Sequence, residues 1–283
     1  MLNTQRRLTR SAKRKELAHR SIYILPNIFT TASMLGGFFA IVMALKGNYI
    51  YACAAILGSL ICDGLDGKVA RATNTVSRFG IEYDSLADLV AFGVAPAVCI
   101  YLWGLMDYGR IGWLGAFLFV ACGAMRLARF NVQVEKVGTS HFVGLPIPAA
   151  ASMVMAVIAL AHRLGFEGPV NFLPVLIMVF ALSFLMVSGI PYMSFKELRL
   201  SRLKSFNGLV VTLIFFGLAA FEPYIVAFAL IGGYVLLGPL GARIFLRGKA
   251  KKMAESQTHE LKHSEAKELP PTAQGTENRT QGE

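Results

Sequence analysis

Eight apolar runs of about 16 to 25 residues determine what this 283-residue chain can fold into. A helix that crosses a bilayer needs about 20 predominantly apolar residues, so each run is a candidate span. The composition agrees, because 55% of the residues are hydrophobic and only 16% are charged, against roughly 25% in soluble domains. The sequence therefore predicts an all-α polytopic membrane protein of about eight transmembrane helices. The runs lie near residues 27–45, 50–70, 82–103, 112–130, 147–162, 172–192, 206–222 and 224–246.

The distribution of Lys and Arg predicts how these helices are oriented. If the N-terminus is cytoplasmic, 25 of the 28 basic residues fall in cytoplasmic segments, and only Lys46, Arg110 and Arg163 fall in outer connections. Because Lys and Arg concentrate in cytoplasmic loops, we expect both termini in the cytoplasm and the protein in the cytoplasmic (inner) membrane. The Lys and Arg residues of the cytoplasmic segments, which anionic lipid headgroups attract, account for the net charge of +11. We therefore expect no nucleic-acid partner.

Three segments differ in composition. Residues 1–21 form a basic cytoplasmic arm, which either lies on anionic headgroups as a helix or is a disordered segment that enforces topology. Residues 22–248 contain all eight runs, and we expect them to form the transmembrane domain. Residues 249–283 lack apolar periodicity, and we expect a disordered cytoplasmic tail.

Four of the five aspartates of the chain fall within one 26-residue window that spans the end of the second run and the start of the third. Asp63 and Asp66 are three residues apart, which places them about 60° apart on one helix face. Gly80, Asp84 and Asp88 recur every four residues and form a stripe on the next helix. By the orientation above, both sets of carboxylates lie at the cytoplasmic membrane boundary.

The negative charges of four carboxylates at this depth must be balanced by positive charge. Each one costs roughly 2.5 to 3.5 kcal/mol at the centre of a membrane helix, so we expect a bound cation. All-oxygen ligands favour Mg²⁺ or Mn²⁺, and such ions would leave positions open for a phosphate or diphosphate substrate. Two alternatives remain open at this point: a structural network with Lys68 and Arg71, and a site for cation or proton transport.

The window carries the pattern DxxDGxxAR followed by GxxxDxxxD, which resembles the signature of the CDP-alcohol phosphotransferases. Every position is filled, by Asp63, Asp66, Gly67, Ala70, Arg71, Gly80, Asp84 and Asp88. The resemblance extends over roughly residues 20–205. The segments "LPNIFTTASMLGGFFAIV", "FGIEYDSLADLVAFGVAPA", "CGAMRLARFN", "GLPIPAAA" and "PYMSFKE" are similar to the integral-membrane members of the family that use serine as the acceptor.

The resemblance implies a six-helix core, to which the last two helices would be additions, and a homodimer. It also implies that CDP-diacylglycerol and L-serine react to give phosphatidylserine and CMP with Mg²⁺ or Mn²⁺, two ions to a site. By the same resemblance Asp63, Asp66 and Asp84 bind metal, and Asp88 is the general base and also touches an ion. The residues expected to contact CDP-diacylglycerol are Asp63, Gly67, Ala70, Arg71 and Gly80.

Further candidates come from their positions near the cytoplasmic side. Asn27 and Thr30, at the start of the first run, are candidates to contact the CDP group. Arg126 and Arg129, at the end of the fourth run, are candidates to bind the serine carboxylate or a phosphate, although basic residues there also anchor helix ends. A sister enzyme acting on another alcohol, such as glycerol 3-phosphate or an inositol phosphate, is the nearest alternative, and a divalent-cation transporter is a more distant one.

Overall fold

The computed structural model describes residues 26–73, 77–137, 142–166, 168, 171–192, 216–218, 220–239 and 241. All of them except Gly241 belong to one compact unit, which ends at Pro239. Nearly all described residues are helical, and three helical stretches are long and apolar enough to cross a membrane. The prediction of an all-α membrane protein is confirmed. The basic arm and the C-terminal tail predicted from the sequence lie outside the described residues.

The first two helices form a tight antiparallel hairpin. Helix α1 spans Pro26–Leu45 and α2 spans Tyr49–Thr73, close to the predicted runs. Gly47, at a φ of 77°, ends α1 by donating its N–H to the carbonyl of Ala44 at 2.9 Å, a conformation in which glycine is favoured. Small residues hold the helices together, since Ser59 on α2 donates a hydrogen bond to the carbonyl of Ser33 on α1 at 2.8 Å.

The predicted third and fourth helices are joined in one helical stretch, Arg78–Gln133, that folds back on itself. Gly109, at a φ of 54°, breaks the stretch, and Gly112 lies directly against the carbonyl of Leu105. The side chains of Ser85 and Asn131 meet across the two halves, which requires the chain to reverse midway between them. The stretch is therefore a helical hairpin, and it contains two π-helical segments that the apolar pattern did not predict. Its segments are α3 (Arg78–Asp88), a π-helical segment (Leu89–Val94), α4 (Ala95–Ile100), a second π-helical segment (Tyr101–Leu105), a 3₁₀ turn (Met106–Tyr108) and α5 (Gly109–Val137).

Helices α6 (Ile147–Arg163) and α7 (Leu173–Val187) pack with α5 and α2 around the buried core. Helix α7 ends at Val187, five residues before the end of the predicted run. The chain there becomes extended ahead of Pro191, because the residue before a proline avoids helical geometry. A two-residue antiparallel pair, β1 (Phe142–Val143) with β2 (Pro191–Tyr192), ties the start of α6 to the end of α7.

Helix α8 spans Pro223–Pro239 and corresponds to the last of the eight predicted helices. Residues 216–218 and 220–221 are helical, Glu222 is not, and α8 begins at Pro223, which confirms the predicted break between the two runs. The rest of the predicted seventh helix lies outside the described residues. The total of eight helices and the position of both termini therefore stay predictions.

Candidate active site

Three of the four predicted aspartates converge on one point between α2 and α3. One carboxylate oxygen each from Asp63, Asp66 and Asp84 lies within 4.8 Å of the others. Helical spacing explains the convergence: Asp63 and Asp66 share a face of α2, and Asp84 lies on the stripe of α3 that faces it. Asp66 is buried, at 5% exposure, while the other two are half-buried.

Asp88 joins the cluster from one turn farther along the helix. Its carboxyl group makes hydrogen-bonding contact with that of Asp63, and it interacts electrostatically with the guanidinium of Arg126 on α5. Asp88 thus interacts both with the clustered carboxylates and with a cation.

Thr30 supports the cluster from α1. Its hydroxyl, at 4% exposure, donates a hydrogen bond of 2.8 Å to Oδ2 of Asp66. The hairpin of α1 and α2 brings these residues together from 36 positions apart. The structure gives the Thr30 hydroxyl an aspartate of the cluster as partner, and the expected contact of Thr30 with the CDP group stays a prediction.

The residues expected near the nucleotide lie beside the cluster. Gly67 packs beneath the guanidinium of Arg71, whose nearest nitrogen would be 3.4 Å from a Cβ at that position. Gly80 faces the side chain of Asn27, whose oxygen would be 3.7 Å from a Cβ there. Ala70 is half-buried, and Arg71 is exposed. The structure therefore pairs Gly67 with Arg71 and Gly80 with Asn27, and their contact with the nucleotide stays a prediction.

The two candidate arginines differ in what they contact. Arg129 donates hydrogen bonds to the carbonyls of Met186, Val187 and Ser188 at 3.5, 3.0 and 3.4 Å, which binds α5 to the end of α7. Arg126 is buried, at 8% exposure, and its guanidinium lies 5.6 Å from the ring centroid of Phe130. In the described part of the chain, the Arg126 guanidinium donates no hydrogen bond.

Two polar contacts near the cluster were not predicted. Ser85 on α3 exchanges hydrogen bonds with Asn131 on α5, and the Nδ2 to Oγ distance is 3.0 Å. Thr31 donates to the carbonyl of Asn27 and meets the hydroxyl of Tyr83 at 2.9 Å. The motif "RFN" contained Asn131, but only the fold could pair it with a serine 46 positions away. Both contacts fix α3, which carries Asp84 and Asp88, against its neighbours.

The donor set fits a divalent cation. Two oxygens on opposite sides of Mg²⁺ are about 4.2 Å apart at bond lengths of 2.0–2.1 Å, so the spread within 4.8 Å needs only small side-chain movements. The ligands are all carboxylates, which suit Mg²⁺ or Mn²⁺ rather than Zn²⁺. The Asp66 carboxylate also accepts a hydrogen bond from Thr30, as carboxylates that bind metals commonly do from a neighbouring group.

The sequence comparisons agree with this site. The family model described as CDP-alcohol phosphatidyltransferase matches residues 23–194, well over half of the chain. The chain therefore belongs to the CDP-alcohol phosphatidyltransferase family, and the resemblance stated from the motif is confirmed.

Several relatives carry more specific names. The CDP-diacylglycerol–serine O-phosphatidyltransferase of Helicobacter pylori is 42% identical over 218 residues, which cover 77% of this chain and 90% of the relative. The enzyme of the same name from Bacillus subtilis is 35% identical over 183 residues, covering 64% and 96%. The archaetidylserine synthase of Methanothermobacter thermautotrophicus is 37% identical over 174 residues, covering 61% and 70%. All three names specify serine-derived phospholipid synthesis.

Proposed function

We propose that this protein transfers the phosphatidyl group of CDP-diacylglycerol to the hydroxyl of L-serine, giving phosphatidylserine and CMP. The observation that carries the proposal is the convergence of Asp63, Asp66 and Asp84, with Asp88 beside Asp63. The serine specificity is supported by the names of the relatives, which cover most of the chain.

The four aspartates have different proposed roles, which follow from their positions. Asp63, Asp66 and Asp84 would hold divalent cations, Mg²⁺ or Mn²⁺, and Asp88, which lies beside Asp63, would also contact an ion. When bound, such ions neutralise the diphosphate and the charge that develops on the departing CMP. Without a bound cation, these like charges would be energetically unfavourable at membrane depth, which supports this assignment.

Asp88 is the general base. A serine hydroxyl is a weak nucleophile at neutral pH, and a positioned carboxylate that takes its proton is worth about 10² to 10⁴ in rate. As the proton moves to an oxygen of Asp88, the serine oxygen bonds to the phosphatidyl phosphorus, and the bond from that phosphorus to the oxygen of CMP breaks. This direct displacement forms no phosphoryl-enzyme and inverts the configuration at phosphorus.

Arg126 binds the acceptor. Serine carries a carboxylate of its own, and a guanidinium is the side chain best suited to hold one through paired hydrogen bonds. Arg126 is buried, interacts electrostatically with Asp88 and donates no hydrogen bond to any residue that the structure describes, whereas Arg129 is bonded to the end of α7. We therefore assign the acceptor site to Arg126, and the nucleotide site to Gly67, Arg71, Gly80 and their neighbours.

The setting in the membrane follows from charge and chemistry. The acyl chains of CDP-diacylglycerol stay in the bilayer, so its diphosphate lies at the headgroup level. The distribution of Lys and Arg supports an active site that faces the cytoplasm, with both termini on that side. We further propose a six-helix core with two C-terminal helices, in a homodimer in the inner membrane.

The proposal is tested by measuring CMP release from CDP-diacylglycerol by the purified protein, with and without L-serine, and repeating it with Asp88→Asn. We expect release only with serine, and a loss of about 10² to 10⁴ in kcat in the variant. Asp107→Asn is the matched control, because Asp107 is the fifth aspartate and lies in the exposed turn between α4 and α5. Full activity of Asp88→Asn, or turnover without serine, would refute the proposal.

A further inference from the structure

Helix α3 carries two of the four clustered aspartates, yet little of its surface is buried. All 11 of its residues are described by the structure, and among them only Ala87 is buried. A π-helical segment begins directly after Asp88, and the extra residue in a π-helical turn changes the direction of the side chains that follow. Apolar packing and helix continuity therefore hold the rotation of α3 about its own axis only weakly.

The rotation of α3 decides whether its carboxylates reach a shared ion. A side chain extends about 5 to 6 Å from a helix axis, so a rotation of about 20° moves a carboxylate by about 2 Å. The distances from a metal ion to its ligands vary by only about 0.2 Å. The convergence of Asp84 with Asp63 and Asp66 therefore needs a contact that fixes this rotation.

One pair of polar side chains joins α3 to α5. Nδ2 of Asn131 donates a hydrogen bond of 3.0 Å to Oγ of Ser85, and Oδ1 of Asn131 lies 3.3 Å from the same Oγ. The Ser85 hydroxyl also lies 3.1 Å from the carbonyl of Ile81 in its own helix. Both polar atoms of the Asn131 amide are thus within hydrogen-bonding distance of one residue of α3, and both residues are half-buried.

Ser85 is placed to control the direction of the two aspartates. Successive residues of an α-helix are about 100° apart, so Ser85 lies about 100° from Asp84 and about 60° from Asp88 around the axis. Because Ser85 is bonded to α5, a rotation of α3 that carried Asp84 away from α2 would have to break that bond. The contact therefore keeps both aspartates on the side of α3 where Asp63 and Asp66 lie.

We propose that Asn131 is a positioning residue, which through Ser85 fixes the rotation of α3 and so aims Asp84 and Asp88 at the bound cation. This inference rests on the proposed function, because it takes the clustered aspartates to be metal ligands. A pair that only stabilised the fold would affect the melting temperature without changing how tightly a metal ion binds.

The test is the binding of Mn²⁺ alone to the purified protein, followed by the loss of the electron paramagnetic resonance signal of free Mn²⁺. We expect Ser85→Ala and Asn131→Ala each to weaken binding about 3- to 10-fold, the size expected for one lost hydrogen bond between neutral groups. The double variant should bind no more weakly than either single variant, because both substitutions break the same contact. Ser85→Thr keeps a hydroxyl and should restore binding to within about twofold of the unmodified protein.

Ser152→Ala is the matched control. The Ser152 hydroxyl donates to the carbonyl of Pro148, four residues earlier on α6, at 2.7 Å, so the control removes the same kind of bond within a helix that Ser85 makes to Ile81. We expect the control to leave Mn²⁺ binding unchanged.

Unchanged Mn²⁺ binding in Ser85→Ala, or effects that add in the double variant, would overturn the inference. Ser85→Ala removes a single atom, so it decides the question even where Asn131→Ala does not fold. Failure of the unmodified protein to bind Mn²⁺ would instead overturn the metal site of the proposed function, and the inference with it, so the two failures are distinguishable.

Discussion

Replacing Thr30 by Val tests whether the aspartate cluster binds a cation. The two side chains have nearly the same shape, so the substitution removes the 2.8 Å hydrogen bond to Asp66 and the longer, 3.2 Å one to the carbonyl of Pro26, and it changes little else. Both residues are at least 95% buried, so water cannot easily replace the lost donor. A hydrogen bond to a charged group contributes about 1.5 to 3 kcal/mol, which corresponds to about a 10- to 150-fold change in an equilibrium constant. Loss of such a supporting partner typically weakens metal binding about 10- to 100-fold.

The assay is CMP release measured as a function of Mg²⁺ or Mn²⁺ concentration. We expect Thr30→Val to require about 10- to 100-fold more metal for half-maximal rate, with kcat largely restored at saturating metal. Thr31→Val is the matched control on the adjacent residue, since the hydroxyl of Thr31 contacts Asn27 and Tyr83 and no aspartate of the cluster. Equal metal dependence in the two variants would refute the assignment of Asp66 as a ligand supported by Thr30.

Three further predictions concern the fold and the site. A methyl group at Gly37 would lie 2.5 Å from the backbone of Ala91, so we expect Gly37→Ala to destabilise the protein by about 1 to 3 kcal/mol. Gly58 has open space around it, so Gly58→Ala should not destabilise the protein. Melting temperatures of the two variants in detergent test this difference. Arg129→Gln should destabilise by about 1 to 3 kcal/mol through lost bonds to the end of α7, and an unchanged melting temperature would contradict that role. Removal of divalent ions with EDTA should abolish CMP release, and Mg²⁺ or Mn²⁺ should restore it; activity that persists in EDTA would argue against a metal site.

The signature aspartates could be brought together from the sequence because their spacing is regular. Three- and four-residue intervals place Asp63 with Asp66, and Asp84 with Asp88, on single helix faces, and the structure joins the two faces. The apolar runs likewise predicted the described helices to within a few residues at most ends. The exceptions are helix ends defined by specific contacts, such as the end of α7 at Val187.

Contacts between distant segments could not be predicted in the same way. The pairing of Thr30 with Asp66 and of Ser85 with Asn131 depends on helix packing, which no local pattern encodes. The π-helical segments escaped prediction for a related reason, because an extra residue in a turn leaves an apolar run just as apolar.

The central claim is that the protein joins serine to the phosphatidyl group of CDP-diacylglycerol. The most direct measurement places the purified protein in liposomes with CDP-diacylglycerol and Mg²⁺ or Mn²⁺, and offers L-serine, glycerol 3-phosphate or an inositol phosphate in parallel. The account predicts equal amounts of phosphatidylserine and CMP with L-serine and no lipid product with the other two. A product formed preferentially with a phosphorylated alcohol would contradict it.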